Sequence, residues 1–368
     1  MKTAHLTLVY VSAILALPGC NSEPKVAESV APIPIKTEPP KPKIRFPKPE
    51  HVKGIYLTAW SAGSKSRLDK AIGLVKRTEI NSIVIDIRDA GHVYVKTGIP
   101  LAKAAKAETV GILDPKGLMA KLEKRGVYPI ARIACFRDKF VPVTNPELAV
   151  NKTTGGVWKD GGGYAWLDPY NRKNWDYIGE IVDFALDMGF PEIQLDYVRF
   201  PSEGRADTQL FPGKKGWPAE TKPAQVVSEF AKFIGERVRA KNAVYSADIF
   251  GIISSSTSDQ GIGQELESIA EPFDLICPMV YPSHFAKGEY GIKNPNASPY
   301  EVVLKSLRDY AKRLPNMKLR PWLQDFSLGV TYGEAEVRAQ IKAAREVGYN
   351  EYLVWNGKNI YTEAAYKP

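Results

Sequence analysis

From residue 51 onward, apolar positions follow two alternating spacings. Short runs rich in Val, Ile, Leu and Tyr occur at 54–60, 82–87, 128–135, 192–199, 244–250, 274–281, 318–324 and 351–355. Their length and β-branched content predict buried strands. Between them, stretches at 66–77, 115–125, 174–188, 224–241, 299–314 and 333–347 repeat apolar residues every three or four positions, which predicts amphipathic helices. Gly126, Gly189 and Gly348 each stand between a helical stretch and the next strand, where a left-handed helix cap is expected. Eight strands alternating with helices predict an α/β fold, a single (β/α)8 TIM barrel over residues 51–368. A doubly wound sheet is disfavoured because no G-x-G-x-x-G follows the first strand.

The first fifty residues follow neither spacing. Lys2 precedes an apolar stretch at 6–17 that ends in Leu17-Pro18-Gly19-Cys20. This has the length of a signal-peptide core and resembles a bacterial lipobox. The expectation is a signal peptide over 1–19, with Cys20 lipidated as a membrane anchor. Asn21 rather than Asp follows the cysteine, which points to the outer membrane or cell surface. Residues 20–50 are rich in Pro, Lys and Glu without apolar periodicity, as in a disordered, extended linker.

Composition narrows the function classes. A hydrophobic share of 44% excludes disorder throughout the chain. The net charge of +9 raises nucleic acid as a partner, but the segment before residue 51 carries +3, and the remaining +6 is spread without a Lys/Arg block. No nucleic-acid role is therefore expected. Of the three cysteines, Cys135 and Cys277 lie in apolar runs and are expected as buried free thiols, with a disulfide as the alternative in an exported protein.

In a barrel of this kind, chemistry sits at the carboxyl ends of the strands. Long insertions at 91–113, 137–171 and 201–222 fall on that face, and TTGGVWKDGGGYAWLDPY within them is suited to aromatic platforms for sugar rings. Period-two alternation puts Gln194, Asp196 and Val198 on one face of the fourth strand, and Val244, Ser246 and Asp248 on one face of the fifth. Asp196 and Asp248 then stand level on neighbouring strands. Two converging carboxylates are what glycoside hydrolysis needs, Asp196 as the anion and Asp248 as the proton donor, with Asp325 as a rival donor. The structural alternative for Asp196 is an ion pair with Arg199 or Arg88. Candidate substrate-binding residues are Asp86, Arg88, Gln194, Arg199, Tyr281, His284, Trp322, Gln324, Asp325, Trp355 and Asn356. Beyond residue 51 the only histidines are His92 and His284, without zinc-site spacing. No metal or cofactor is expected, and a carboxylate metal site of Asp86, Asp89 and Asp196 is the alternative.

At EIQLDYVRFP, CPMVYPSHF and RPWLQDF, with the closing LVWN, the chain resembles a family of bacterial glycoside hydrolases with a TIM-barrel catalytic domain, distantly similar to α-amylase-type enzymes. The likeness runs from about Val52 to Tyr361. It implies a barrel acting on carbohydrate, with Asp196 at the strand-four position that serves as nucleophile in related clans. Asp248 stands where those clans usually carry a Glu. The expected function is hydrolysis of an extracellular or envelope polysaccharide, with a carbohydrate-binding or envelope-organising lipoprotein as the rival.

Overall fold

The structure, a computed structural model, describes residues 45–367. The expected signal peptide, the lipidated Cys20 and most of the linker lie outside the described residues. Eight parallel strands close a barrel: β1 (Lys53–Leu57), β2 (Ser82–Asp89), β3 (Tyr128–Ala134), β4 (Glu192–Asp196), β5 (Val244–Phe250), β6 (Leu275–Met279), β7 in two pieces (Lys318–Leu319 and Trp322–Gln324) and β8 (Tyr352–Trp355). Each pairs with its sequence neighbours, and β8 closes on β1 with Lys53 opposite Tyr352. The break in β7 falls at Pro321, which has no N–H to give the ladder.

The strands read as near-continuous apolar runs because both faces are covered: β3, YPIARIA, is buried at every position. The outer cover is α1 (Lys65–Arg77), α2 (Pro115–Lys124), α3 (Arg172–Asp187), α4 (Pro223–Ala240), α5 (Leu266–Ala270), α6 (Pro299–Arg313) and α7 (Glu334–Glu346). α3 buries Trp175, Ile178, Ile181, Val182 and Ala185, the three-and-four spacing of one helix face. Proline opens α2, α4 and α6 at the first helical position, where no N–H is needed. Gly126, Gly189 and Gly348 take φ of 66°, 94° and 101°, the left-handed caps expected of them.

Three features depart from the expected pattern. A five-residue α5 links β5 to β6, and a short 3-10 turn, Glu363–Tyr366, takes the eighth helix position, with Tyr366 buried. Phe46, which the expected boundary leaves in the linker, is buried, and the neighbouring Arg45 pairs with Glu123 at 2.9 Å. Cys135 and Cys277 are free and buried.

At the amino ends of the strands, the lumen is sealed by charge. Arg320 Nη1 donates to Glu192 Oε1 at 2.7 Å and its Nε to Glu351 Oε2 at 2.7 Å, while Ser246 Oγ donates to Glu192 Oε1 at 2.8 Å. At the opposite end the insertions after β3 and β4 join each other: Asn151–Lys152 and Gln209–Leu210 form a small antiparallel sheet. That pairing buries Trp158 and Trp166, whose indole N–H groups donate to Thr208 and Asp160. Trp158 fastens the two loops to each other and Trp166 braces its own, and neither is the exposed sugar platform expected of this segment.

Candidate active site

The site is organised by a residue that sequence reasoning passed over. Arg132 sits inside the apolar run of β3, and strand alternation turns it into the lumen. Its Nε and Nη2 both donate to Asp196 Oδ2, at 3.0 and 2.6 Å, and its Nη1 donates to Asp86 Oδ1 at 2.6 Å and reaches Asp89 Oδ1 at 3.4 Å. Asp86, Asp89 and Asp196, weighed as a metal set, instead converge on this guanidinium. The sequence signal was available: a lone Arg in a fully buried strand needs carboxylate partners. Tyr56 on β1 completes the arrangement. Its hydroxyl donates to Asp86 Oδ2, and its ring stacks on Trp355 with centroids 3.9 Å apart.

β4 ends abruptly after Asp196 because Tyr197 takes φ of 48°, an uncommon conformation for a bulky side chain. The Tyr197 N–H donates to Asp196 Oδ1 at 2.6 Å, so both oxygens of Asp196 are held. The turn ends the alternation expected through Val198 and brings Arg199 to the cleft. On β5, Asp248 stands at the same level as Asp196. Its Oδ1 accepts the Trp322 indole N–H at 2.6 Å, and its Oδ2 is 3.9 Å from Arg132 Nε. Burial, together with the charge of Asp196, pushes the Asp248 carboxyl well above the usual carboxylate range. Burial raises Asp86 to about 7, with Arg132 opposing.

Above these groups opens a cleft of about 370 Å³, with Arg132, Asp196 and Asp248 on its floor and Trp322 and Trp355 among its walls. Of the expected residues, Asp196, Asp248, Arg199, Tyr281, His284, Trp322 and Trp355 line it. Asp86 lies beside the floor and reaches it through Arg132.

The remaining candidates are not brought to the cleft. Gln194 is buried below the floor, donating to Cys277 Sγ at 3.1 Å. Arg88 faces outward: a register irregularity between Asp86 and Arg88 breaks the alternation, so Arg88 pairs with Asp138 at 2.5 Å and lies against the Tyr177 ring of α3. Neither Arg88 nor Arg199 is the ion-pair partner of Asp196; Arg132 is. Asp325, the rival donor, accepts from Thr362 N and Oγ1 at 2.7 Å each and from the Tyr366 hydroxyl at 2.5 Å, tying down the C-terminal segment. Asn356 Nδ2 donates to the Asp325 and Ile360 carbonyls. Gln324 braces the loop after β6 through Ser283 N at 3.1 Å.

Known proteins place this arrangement in context. A family described as "Putative glycosyl hydrolase domain" matches residues 54–361. A hypothetical protein from Ruminiclostridium thermocellum is 34% identical over 53% of this chain and 96% of its own, with a TM-score of 0.48. The glycoside hydrolase domain of PgaB (BpsB) from Bordetella bronchiseptica superposes over 84% of this chain and 95% of its own, at 14% identity and a TM-score of 0.59. An α-galactosidase from Thermus thermophilus covers 84% of this chain and 58% of its own, at 13% identity and a TM-score of 0.53. At these identities the last two share the fold. No curated protein matches the chain.

Proposed function

The chain belongs to that glycosyl hydrolase family, and on this premise we propose that it cleaves glycosidic bonds of an extracellular or envelope polysaccharide with Asp196 and Asp248. The observation that carries this is the unequal treatment of two carboxylates on one cleft floor. Asp196 is held by two arms of Arg132 and by a backbone N–H, which fix its two oxygens at the cleft floor. Asp248 is buried beside Asp196 with no guanidinium hydrogen bond of its own, Arg132 Nε standing off at 3.9 Å, and it keeps its proton. A buried carboxyl that keeps its proton beside one gripped by a guanidinium assigns the acid and the nucleophile.

The indole N–H of Trp322 can only donate, so Asp248 Oδ1 accepts and the proton of the neutral acid is carried on Oδ2. Asp248 protonates the glycosidic oxygen as the Asp196 carboxylate attacks the anomeric carbon. Water then cleaves the glycosyl ester, with Asp248 as base. The two Oδ2 atoms stand 3.0 and 3.9 Å from the same Nε, so they are less than about 7 Å apart. That bound accommodates the roughly 5–5.5 Å of retaining enzymes and admits only the lower edge of the inverting range of about 6.5–9.5 Å. The lipobox-like Cys20 adds an envelope location to the proposal.

The test is reducing-end release from neutral, amino-sugar and uronate polysaccharides by the full chain beside Asp196→Asn and Asp248→Asn. Release that Asp196→Asn abolishes, and that Asp248→Asn lowers by about 10²–10⁴-fold, is the expected result. No release from any glycan, with glycan binding unchanged in both variants, would leave the binding lipoprotein as the function.

A further inference from the structure

Four arginines are buried among the described residues: Arg88, Arg132, Arg199 and Arg320. Three have a carboxylate oxygen within 2.7 Å: Asp138 for Arg88, Asp86 and Asp196 for Arg132, Glu192 and Glu351 for Arg320. Arg199 is the exception. It is 4% exposed, and both its hydrogen bonds among the described residues leave Nη1, to the Phe200 carbonyl and Ser202 Oγ at 3.0 Å each. The guanidinium is enclosed by the rings of Trp166, Tyr197 and Phe250, with centroids at 5.0, 5.0 and 4.6 Å. Aromatic faces steady a cation but do not neutralise it. Burial pushes this group below the usual arginine range, whereas at Arg88 and Arg320 burial acts the same way but the paired carboxylates outweigh it; an arginine nonetheless stays charged in a protein.

A buried cation without a counter-ion is costly, and this one lines the same cleft as Asp196 and Asp248. A fixed guanidinium fork suits planar or tetrahedral oxyanions, which it can grip through two parallel N–H groups. Resting on the hydrolase reading, we propose that Arg199 is a specificity residue that receives an anionic substituent of the sugar chain, a uronate carboxylate or a sulfate ester. The exposed Glu203 also lines the cleft and sets a like charge against the incoming anion. The open cleft supplies the route, and the substrate supplies the missing partner.

Binding can be read separately from turnover. Full-chain Asp196→Asn protein is titrated calorimetrically with oligomers of polygalacturonate and of hyaluronate, each beside its carboxyl-reduced form, and of chondroitin sulfate beside its desulfated form. The acidic member of at least one pair is expected to bind about tenfold or more tightly, the size of a charge-assisted contact. Adding Arg199→Gln should collapse that ratio toward one, Arg199→Lys should keep part of it, and Glu203→Gln should widen it. A thermal melt of each variant shows whether it is folded. No preference in any of the three pairs overturns the proposal, as does a preference that survives in folded Arg199→Gln protein. Release from a neutral glycan without any acidic preference sinks this inference and leaves the hydrolase standing. An acidic preference without release from any glycan does the reverse.

Discussion

The barrel lumen is plugged by an arginine at each end, and the two ends behave differently. At the amino end Arg320 faces Glu192 and Glu351 with Ser246 in support, and the group is shut away from solvent on the lumen side. At the carboxyl end Arg132 has four carboxylates within 4 Å, those of Asp86, Asp89, Asp196 and Asp248, beneath an open cleft. Burial raises two of these carboxyls, Asp86 and Asp248, so both hold their protons more tightly than free acids do. Direct pairing of Arg320 with both glutamates makes the lower cluster a structural seal. The surplus of acid makes the upper one a store of protons next to a place where substrate can enter.

Substitutions at matching positions can break this comparison. The largest effect is expected at the upper arginine: Arg132→Lys keeps the charge but loses the fork that spans Asp86 and Asp196, and kcat should fall about 10²–10³-fold. Unchanged kcat on a glycan identified in the release screen would remove Arg132 from the machinery. At the lower arginine, Arg320→Met leaves Glu192 buried without its partner and should cost about 3–5 kcal/mol of stability, measured by denaturant unfolding. Turnover per folded molecule should hold, and a drop in kcat that matches the Arg132 variant would erase the distinction between the two ends.

The smallest effect is expected from pH. The folded value of Asp86, about 7, lies above its unfolded value. Its contribution to stability is therefore fully present below about pH 4 and is lost as pH rises through about 7. Asp86→Asn should flatten that part of the melting-temperature profile between the two values. A profile that keeps its slope would assign the titration elsewhere. Asp248 obeys the same sign in catalysis, so activity should fail on the alkaline side as the acid loses its proton.

Much of the fold was legible because burial on both sheet faces writes each strand as an apolar run, and all eight expected strands are present. The level pairing of Asp196 and Asp248 was legible for a related reason, since a period of two is preserved along regular strands. It failed where the backbone departs from regularity. The irregularity after Asp86 sends Arg88 outward, and the left-handed Tyr197 turns Arg199 inward in place of Val198. Arg132 escaped notice because its partners are 46 and 64 residues away in sequence. Asp325 resembled a catalytic acid until Thr362 and Tyr366, far along the chain, accounted for its oxygens.

The small sheet that joins the insertions after β3 and β4 also bears on how this protein can diverge. Asn151 stands opposite Leu210 and Lys152 opposite Gln209, so a one-residue slip in either paired segment puts the other out of register. The indole of Trp158 is fastened across the same seam to Thr208. The two insertions thus form one mechanical part, and reshaping either takes compensating changes in both at once.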